Sequence, residues 1–172
     1  MIELPQDFPP ELYPVAFLNG HWRGRGELSY PGIARTDIVV DVTFAPGTGP
    51  FYEYRCDINT ISDEATAPWS TESGFWRVAP QQPEGLAESL APLEAMISDP
   101  AGRVCVYLGG ADNGRATLVS DVIARTSSAA AVAASKRMYG LVKGQLMWLW
   151  ELSAFDQPLQ PYVSVAMEKV SQ

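Results

Sequence analysis

From Gly20 onward, apolar and polar residues alternate one by one along most of the chain. Ile38, Val40, Val42 and Phe44 alternate with Asp37, Val39, Asp41 and Thr43, and Tyr52, Tyr54, Cys56 and Ile58 alternate with Glu53, Arg55, Asp57 and Asn59. The same period runs through Val104, Val106 and Leu108, and again through Leu146, Trp148, Trp150 and Leu152. A period of two is the signature of a β-strand with one buried face. Between the runs stand hairpin residues: Pro46-Gly47-Thr48-Gly49-Pro50, Asp99-Pro100-Ala101-Gly102, Asp112-Asn113-Gly114 and Lys143-Gly144. The pattern predicts ten strands, near residues 20–29, 35–45, 51–61, 70–79, 92–98, 102–109, 115–125, 131–142, 145–154 and 162–170. Ahead of them, Pro9-Pro10 opens a short helix over Glu11 to Leu18, with Leu12, Val15, Ala16 and Leu18 on one face. Pro80 to Leu90 is rich in Gln, Pro and Glu, lacks alternation, and reads as a surface loop. Successive antiparallel strands with tight turns must stack as a sandwich or close as a barrel. No repeat or linker divides residues 1–172, so the expectation is one all-β domain.

Composition narrows the function classes. With 12 basic and 20 acidic residues the net charge is −8, a surface that repels phosphate backbones and argues against nucleic-acid binding. Apolar residues make up 47% and charged ones 19%, the balance of a folded domain rather than a disordered one. The longest small apolar stretch, Ala129 to Ala134, is too short to cross a bilayer. No basic segment followed by an apolar one opens the chain, so the expected location is the cytoplasm. Cys56 and Cys105 belong to no Cys-x-x-Cys pair, and two Cys with one His cannot build a four-ligand zinc site. The two thiols are expected to sit reduced on strands, with a disulfide between facing strands as the alternative.

One segment is more distinctive. Leu18-Asn19-Gly20-His21-Trp22-Arg23-Gly24-Arg25-Gly26 contains Gly-x-Trp-x-Gly-x-Gly. Trp22 can plug one end of a barrel where strands converge, and Gly20, Gly24 and Gly26 let the strand bend and another backbone approach. These four residues therefore read as structural. Here the chain resembles the nitrobindins, small haem-binding barrels similar to fatty-acid-binding proteins and lipocalins. The resemblance continues through Glu27-Leu-Ser-Tyr-Pro31, Thr71-Glu-Ser-Gly-Phe-Trp-Arg77, Gly102-Arg-Val-Cys-Val-Tyr107, Leu118-Val-Ser-Asp-Val122 and Gln157-Pro-Leu-Gln-Pro161. It implies a ten-stranded antiparallel up-and-down β-barrel with a short N-terminal helix.

The resemblance also implies haem b in the open end of the barrel, with scavenging of nitrogen oxides and isomerisation of peroxynitrite to nitrate. In the family the iron is held by a histidine in a segment reading Pro-Leu-Gln-Pro-His. This chain reads Pro158-Leu159-Gln160-Pro161-Tyr162. A phenol with a pKa near 10 must lose a proton before it ligates iron, whereas neutral imidazole need not. Tyrosinate does hold haem in some proteins, so Tyr162 as axial ligand of a haem b peroxynitrite isomerase is the alternative reading. The favoured one makes Tyr162 a buried aromatic filling porphyrin space. A second departure agrees: haem-binding relatives read Tyr-Pro-Thr-Ile where this chain has Tyr30-Pro31-Gly32-Ile33. By resemblance Tyr30, Pro31 and Ile33 edge the same cavity mouth. His21 neighbours Trp22, so it should face outward, and no catalytic triad can be assembled.

The residues thus predict no bound cofactor and no catalytic group, with a cavity left for a small apolar ligand. Phe75, Trp76, Met96, Met138, Met147, Trp148 and Trp150 supply apolar surface, some of it interior. Arg137 and Tyr139 share one face and resemble the Arg-x-Tyr pair with which fatty-acid-binding barrels grip a carboxylate on their last strand, although here the pair lies on an earlier strand and its default is solvent exposure. An interaction domain is the third class, with a weak homodimer as its form.

Overall fold

Alternation along the chain becomes a wall of ten strands in the computed structural model, which describes residues 4–63 and 65–171. The strands are β1 (Gly20–Tyr30), β2 (Ile33–Pro46), β3 (Tyr52–Ile61), β4 (Thr66–Val78) and β5 (Ala91–Asp99), then β6 (Arg103–Asp112), β7 (Arg115–Arg125), β8 (Val132–Val142), β9 (Gln145–Ala154) and β10 (Gln160–Lys169). Each pairs antiparallel with its neighbours in sequence, and β1 pairs with β10 to close the barrel. Closure removes the free sheet edges that an open meander would expose. Asn113 and Gly114, and likewise Lys143 and Gly144, have positive φ at both positions, the geometry that matches two-residue hairpins to strand twist. Residues 80–90 form the loop between β4 and β5.

Inward positions alternate as expected: Ile38, Val40, Val42 and Phe44 on β2, and Tyr52, Tyr54, Cys56 and Ile58 on β3, are all buried. One end of the barrel is shut. Its lid is a 3₁₀ helix over Pro10–Leu18 that buries Leu12, Val15 and Leu18. Phe17 is buried as well, and Ala16, partly buried, packs against the same core, on the face the sequence pattern predicts. Trp22 seals the junction by donating its indole N–H to the Leu18 carbonyl at 2.8 Å. Gly24 and Gly26 lie where β10 crosses: an added Cβ would stand 2.0 Å from the Ala166 carbonyl oxygen and 2.2 Å from that of Ser164. Beneath the lid Phe44 meets Tyr52, Trp76 and Tyr139 edge-on at ring separations of 5.9, 5.2 and 6.0 Å.

The opposite half is less regular. Ladder registers shift at Leu28/Tyr30, Ile58/Asn59, Val106/Tyr107, Val132/Ala134 and Pro161/Val163, all away from the lid. Bulges of this kind gather at barrel rims and re-aim side chains. β7 and β8 pair only from Arg115↔Gly140 to Val119↔Lys136. Beyond that point the two strands part, and the Ser135 amide donates to Ser120 Oγ at 3.0 Å in place of a ladder bond. Among the described residues no helix is long and apolar enough to cross a membrane.

Candidate functional site: a cavity over a buried ion pair

Between the two ends lies a polar layer. Arg137 on β8 is 1% exposed and Glu72 on β4 is 5% exposed. They form a forked pair, Nη1 to Oε1 and Nη2 to Oε2, the second at 2.8 Å. Tyr54 donates to Glu72 Oε1 at 2.7 Å, and Arg137 Nε donates to Tyr107 Oη at 3.0 Å. The guanidinium lies 4.2 Å from the centre of the Trp150 ring, a cation–π contact in a dry setting. Burial works against the Arg137 charge, but Glu72 and the surrounding hydroxyls outweigh it and hold its pKa above the ordinary arginine value. Burial also pushes the Tyr107 hydroxyl up to about 12, against the opposing pull of Arg137. Both groups keep their protons across the neutral range.

Above this layer the open end encloses a cavity of about 420 Å³, within the range of small-molecule sites. Ile33, Ile97, Cys105, Ile123, Val132 and Leu152 supply apolar wall, with Arg137, Glu72, Tyr107 and Ser135 at its polar floor. Two aromatics bar the mouth. Trp69, 41% exposed, donates its indole N–H to the Tyr162 hydroxyl oxygen at 2.6 Å. Each sits at a register shift: Ile58 faces Ser70 while Asn59 faces Pro68, and Trp150 faces Val163 while Glu151 faces Pro161. Strict alternation with buried Glu72 and Val163 would send both side chains outward, so the bulges turn them inward. Tyr162 stands edge-on to Tyr30 and Trp150 at 5.9 and 5.1 Å. Burial raises the Tyr162 pKa, while the Trp69 bond and the Arg103 charge oppose that rise. Tyr30 donates to the Leu152 carbonyl at 3.0 Å and accepts from the Ala154 amide at 2.9 Å, tying the first hairpin to β9.

Several sequence expectations meet their geometry here. Tyr162, Tyr30 and Ile33 line the cavity. Pro31 does not: it is exposed at the hairpin tip, where the chain reverses away from the mouth. Arg137 and Tyr139 do share a face, but that face is the interior, because β8 alternates Ser135, Arg137 and Tyr139 into the barrel. They form no common carboxylate grip. Glu72 takes the Arg137 fork, while Tyr139 stacks on Trp148 at 5.5 Å nearer the lid. His21 faces outward and meets Asp41 at 2.5 Å. Cys56 and Cys105 are buried free thiols. Trp76, Trp148 and Trp150 face inward, whereas Phe75 and Met147 are exposed. Glu72 and Trp69 were not foreseen. Glu72 carried a signal, its parity with Trp76; Trp69 carried none, because its direction depends on a bulge.

A closed barrel with one end plugged and the other hollow, floored by buried polar groups, is the build of a ligand-binding barrel. The chain belongs to the THAP4-like, haem-binding β-barrel family, the nitrobindins, whose family profile matches residues 11–169. A ferric nitrobindin-like protein of Beutenbergia cavernae is 32% identical over 207 residues, covering 98% of each chain. A peroxynitrite isomerase of Parafrankia sp. is 34% identical over 173 residues, covering 95% of this chain and 81% of its own. The crystal structure of Rv2717c from M. tuberculosis has the same fold, with a TM-score of 0.81 at 24% identity over 96% of this chain and 100% of its own.

Proposed function

We propose that this chain is a nitrobindin-like barrel that does not hold haem in its family's manner and instead carries a small, largely apolar molecule in the open end. The observation that carries the reading is the phenol of Tyr162 at the cavity mouth, hydrogen-bonded by Trp69 and packed against Tyr30 and Trp150. The residues present do not fit a ferric porphyrin. The single histidine lies outside the barrel on Asp41, and Arg103, a cation of the cavity wall, is held by Asp99 at 3.0 Å. A protonated phenol with a raised pKa is a poor iron ligand at neutral pH. No step of peroxynitrite chemistry, the activity named for the Parafrankia relative, is therefore assigned to this chain.

One observation favours the second reading, haem b on Tyr162. The Trp69 bond and the Arg103 charge both act to stabilise a phenolate, although burial outweighs them. A hemin titration followed by its Soret band separates the two readings. The expected outcome is no saturable ferric band in the native protein and a sharp one in Tyr162→His. A saturable band in the native protein that disappears in Tyr162→Phe overturns the proposal and makes peroxynitrite decay the next assay.

A further inference from the structure

The hydrogen bonds of the cavity floor define what the ligand must offer. A guanidinium has five N–H donors. In Arg137, Nε serves Tyr107, Nη1 serves Glu72 and Tyr54, and one Nη2–H serves Glu72, which leaves one Nη2–H over among the described residues. Ser135 Oγ accepts the Trp150 indole N–H at 2.9 Å and lies 2.8 Å from Tyr107 Oη. Whichever hydroxyl donates in the Ser135–Tyr107 pair, the other keeps a proton with no acceptor among the described residues. Tyr162, which accepts from Trp69, likewise keeps its own proton. All four residues line the cavity, so its polar groups carry a surplus of donors.

Charge selects among acceptors. Arg137 is neutralised by Glu72, and Arg103, nearer the rim, by Asp99. The second oxygen of Asp99 is buried without a hydrogen-bond partner among the described residues, so the wall offers an entering anion a further acceptor and no free cation. An entering carboxylate would find every cation already matched and would itself be the uncompensated buried charge. Resting on the carrier reading above, we propose that the cavity takes a small uncharged molecule presenting a carbonyl, quinone or ether oxygen to Arg137, Ser135 and Tyr107, and that Glu72 is the residue that turns anionic ligands away.

The test compares two fluorescent probes on the purified protein: Prodan, an uncharged naphthyl ketone, and the naphthoate that carries a carboxylate on the same ring system. The native protein is expected to bind the ketone at least about tenfold tighter than the naphthoate. Glu72→Gln removes the neutralising charge and keeps the shape, and is expected to lower that preference by about tenfold or more. Equal or tighter naphthoate binding by the native protein, or an unchanged preference in folded Glu72→Gln, overturns the inference. Should Glu72→Gln fail to fold, Ser135→Ala decides: weaker ketone binding with a blue shift of bound Prodan supports the proposal, and unchanged affinity and emission overturn it. Val132→Trp fills the cavity, so ketone binding that survives in the folded variant lies elsewhere and overturns the proposal. If neither probe binds the native protein, the carrier reading falls as well. If only the charge preference is wrong, that reading stands.

Discussion

The two ends of this barrel are made by the same strands and the same alternation, yet one is solid and the other hollow. At the lid end the ladders keep their register, and inward positions hold Phe44, Tyr52, Trp76, Tyr139 and Trp148, most of them in edge-on or stacked ring pairs. At the open end small residues such as Cys105, Ser135 and Ala154 stand among the inward positions, beside aromatics at the mouth such as Tyr30 and Tyr162, and the register shifts gather there. Strand pattern fixes which side chains point inward; their volume decides whether the interior is core or cavity. The buried Arg137–Glu72 pair marks the boundary between the two.

Truncation should break this contrast most sharply. Phe44→Ala, in the ring cluster, is expected to lose about 3–5 kcal/mol of unfolding free energy. Ile123→Ala, on a wall that already faces open space, should lose about 1 kcal/mol. Urea unfolding of both variants checks the difference, and comparable losses would mean the two ends are equally packed.

The boundary layer should show itself at high pH. Tyr107 is raised from 10.0 to about 12, so the folded state holds that proton more tightly than the unfolded chain does. Below about pH 10 both states are protonated and the group contributes no pH dependence. As the pH rises from there to about 12, the unfolded chain loses its proton first, and stability should fall by on the order of 3 kcal/mol. Denaturation midpoints measured across this range should fall less steeply in Tyr107→Phe, the remaining slope coming from Tyr52, Tyr54, Tyr139 and Tyr162, whose pKa values burial also raises. The smallest effect belongs to the mouth: Trp69→Phe removes one half-exposed hydrogen bond and should shift stability by about 1 kcal/mol or less, visible as a minor change in thermal midpoint.

Most of the wall was legible in the sequence because hairpin chemistry and alternation agree along it. The exceptions are instructive. β4 begins at Thr66, earlier than its alternation suggested, because Pro68 weakens a strand reading and is accommodated here by a bulge. The same irregularity hides the direction of Trp69, and another makes the inward turn of Tyr162 invisible to parity. The Arg137–Glu72 pair was half legible. Arg137 shares parity with Tyr139, and Glu72 shares parity with Trp76, but only three-dimensional closure brings β4 and β8 to opposite sides of one interior. A short local window cannot report a bond that spans 65 residues.

The parting of β7 from β8 gives the barrel a seam. A cask with one loose joint between staves yields there first under load, and here the joint is held by the Ser135 amide on a hydroxyl rather than by successive amide–carbonyl rungs. Ile123 and Val132, on its two margins, are both walls of the cavity. Thermal breathing of the wall should therefore concentrate at this joint, with backbone amides along residues 120–125 exchanging with deuterium ahead of those near the lid. A molecule could then load from the side, leaving the aromatic bar of Trp69 and Tyr162 in place.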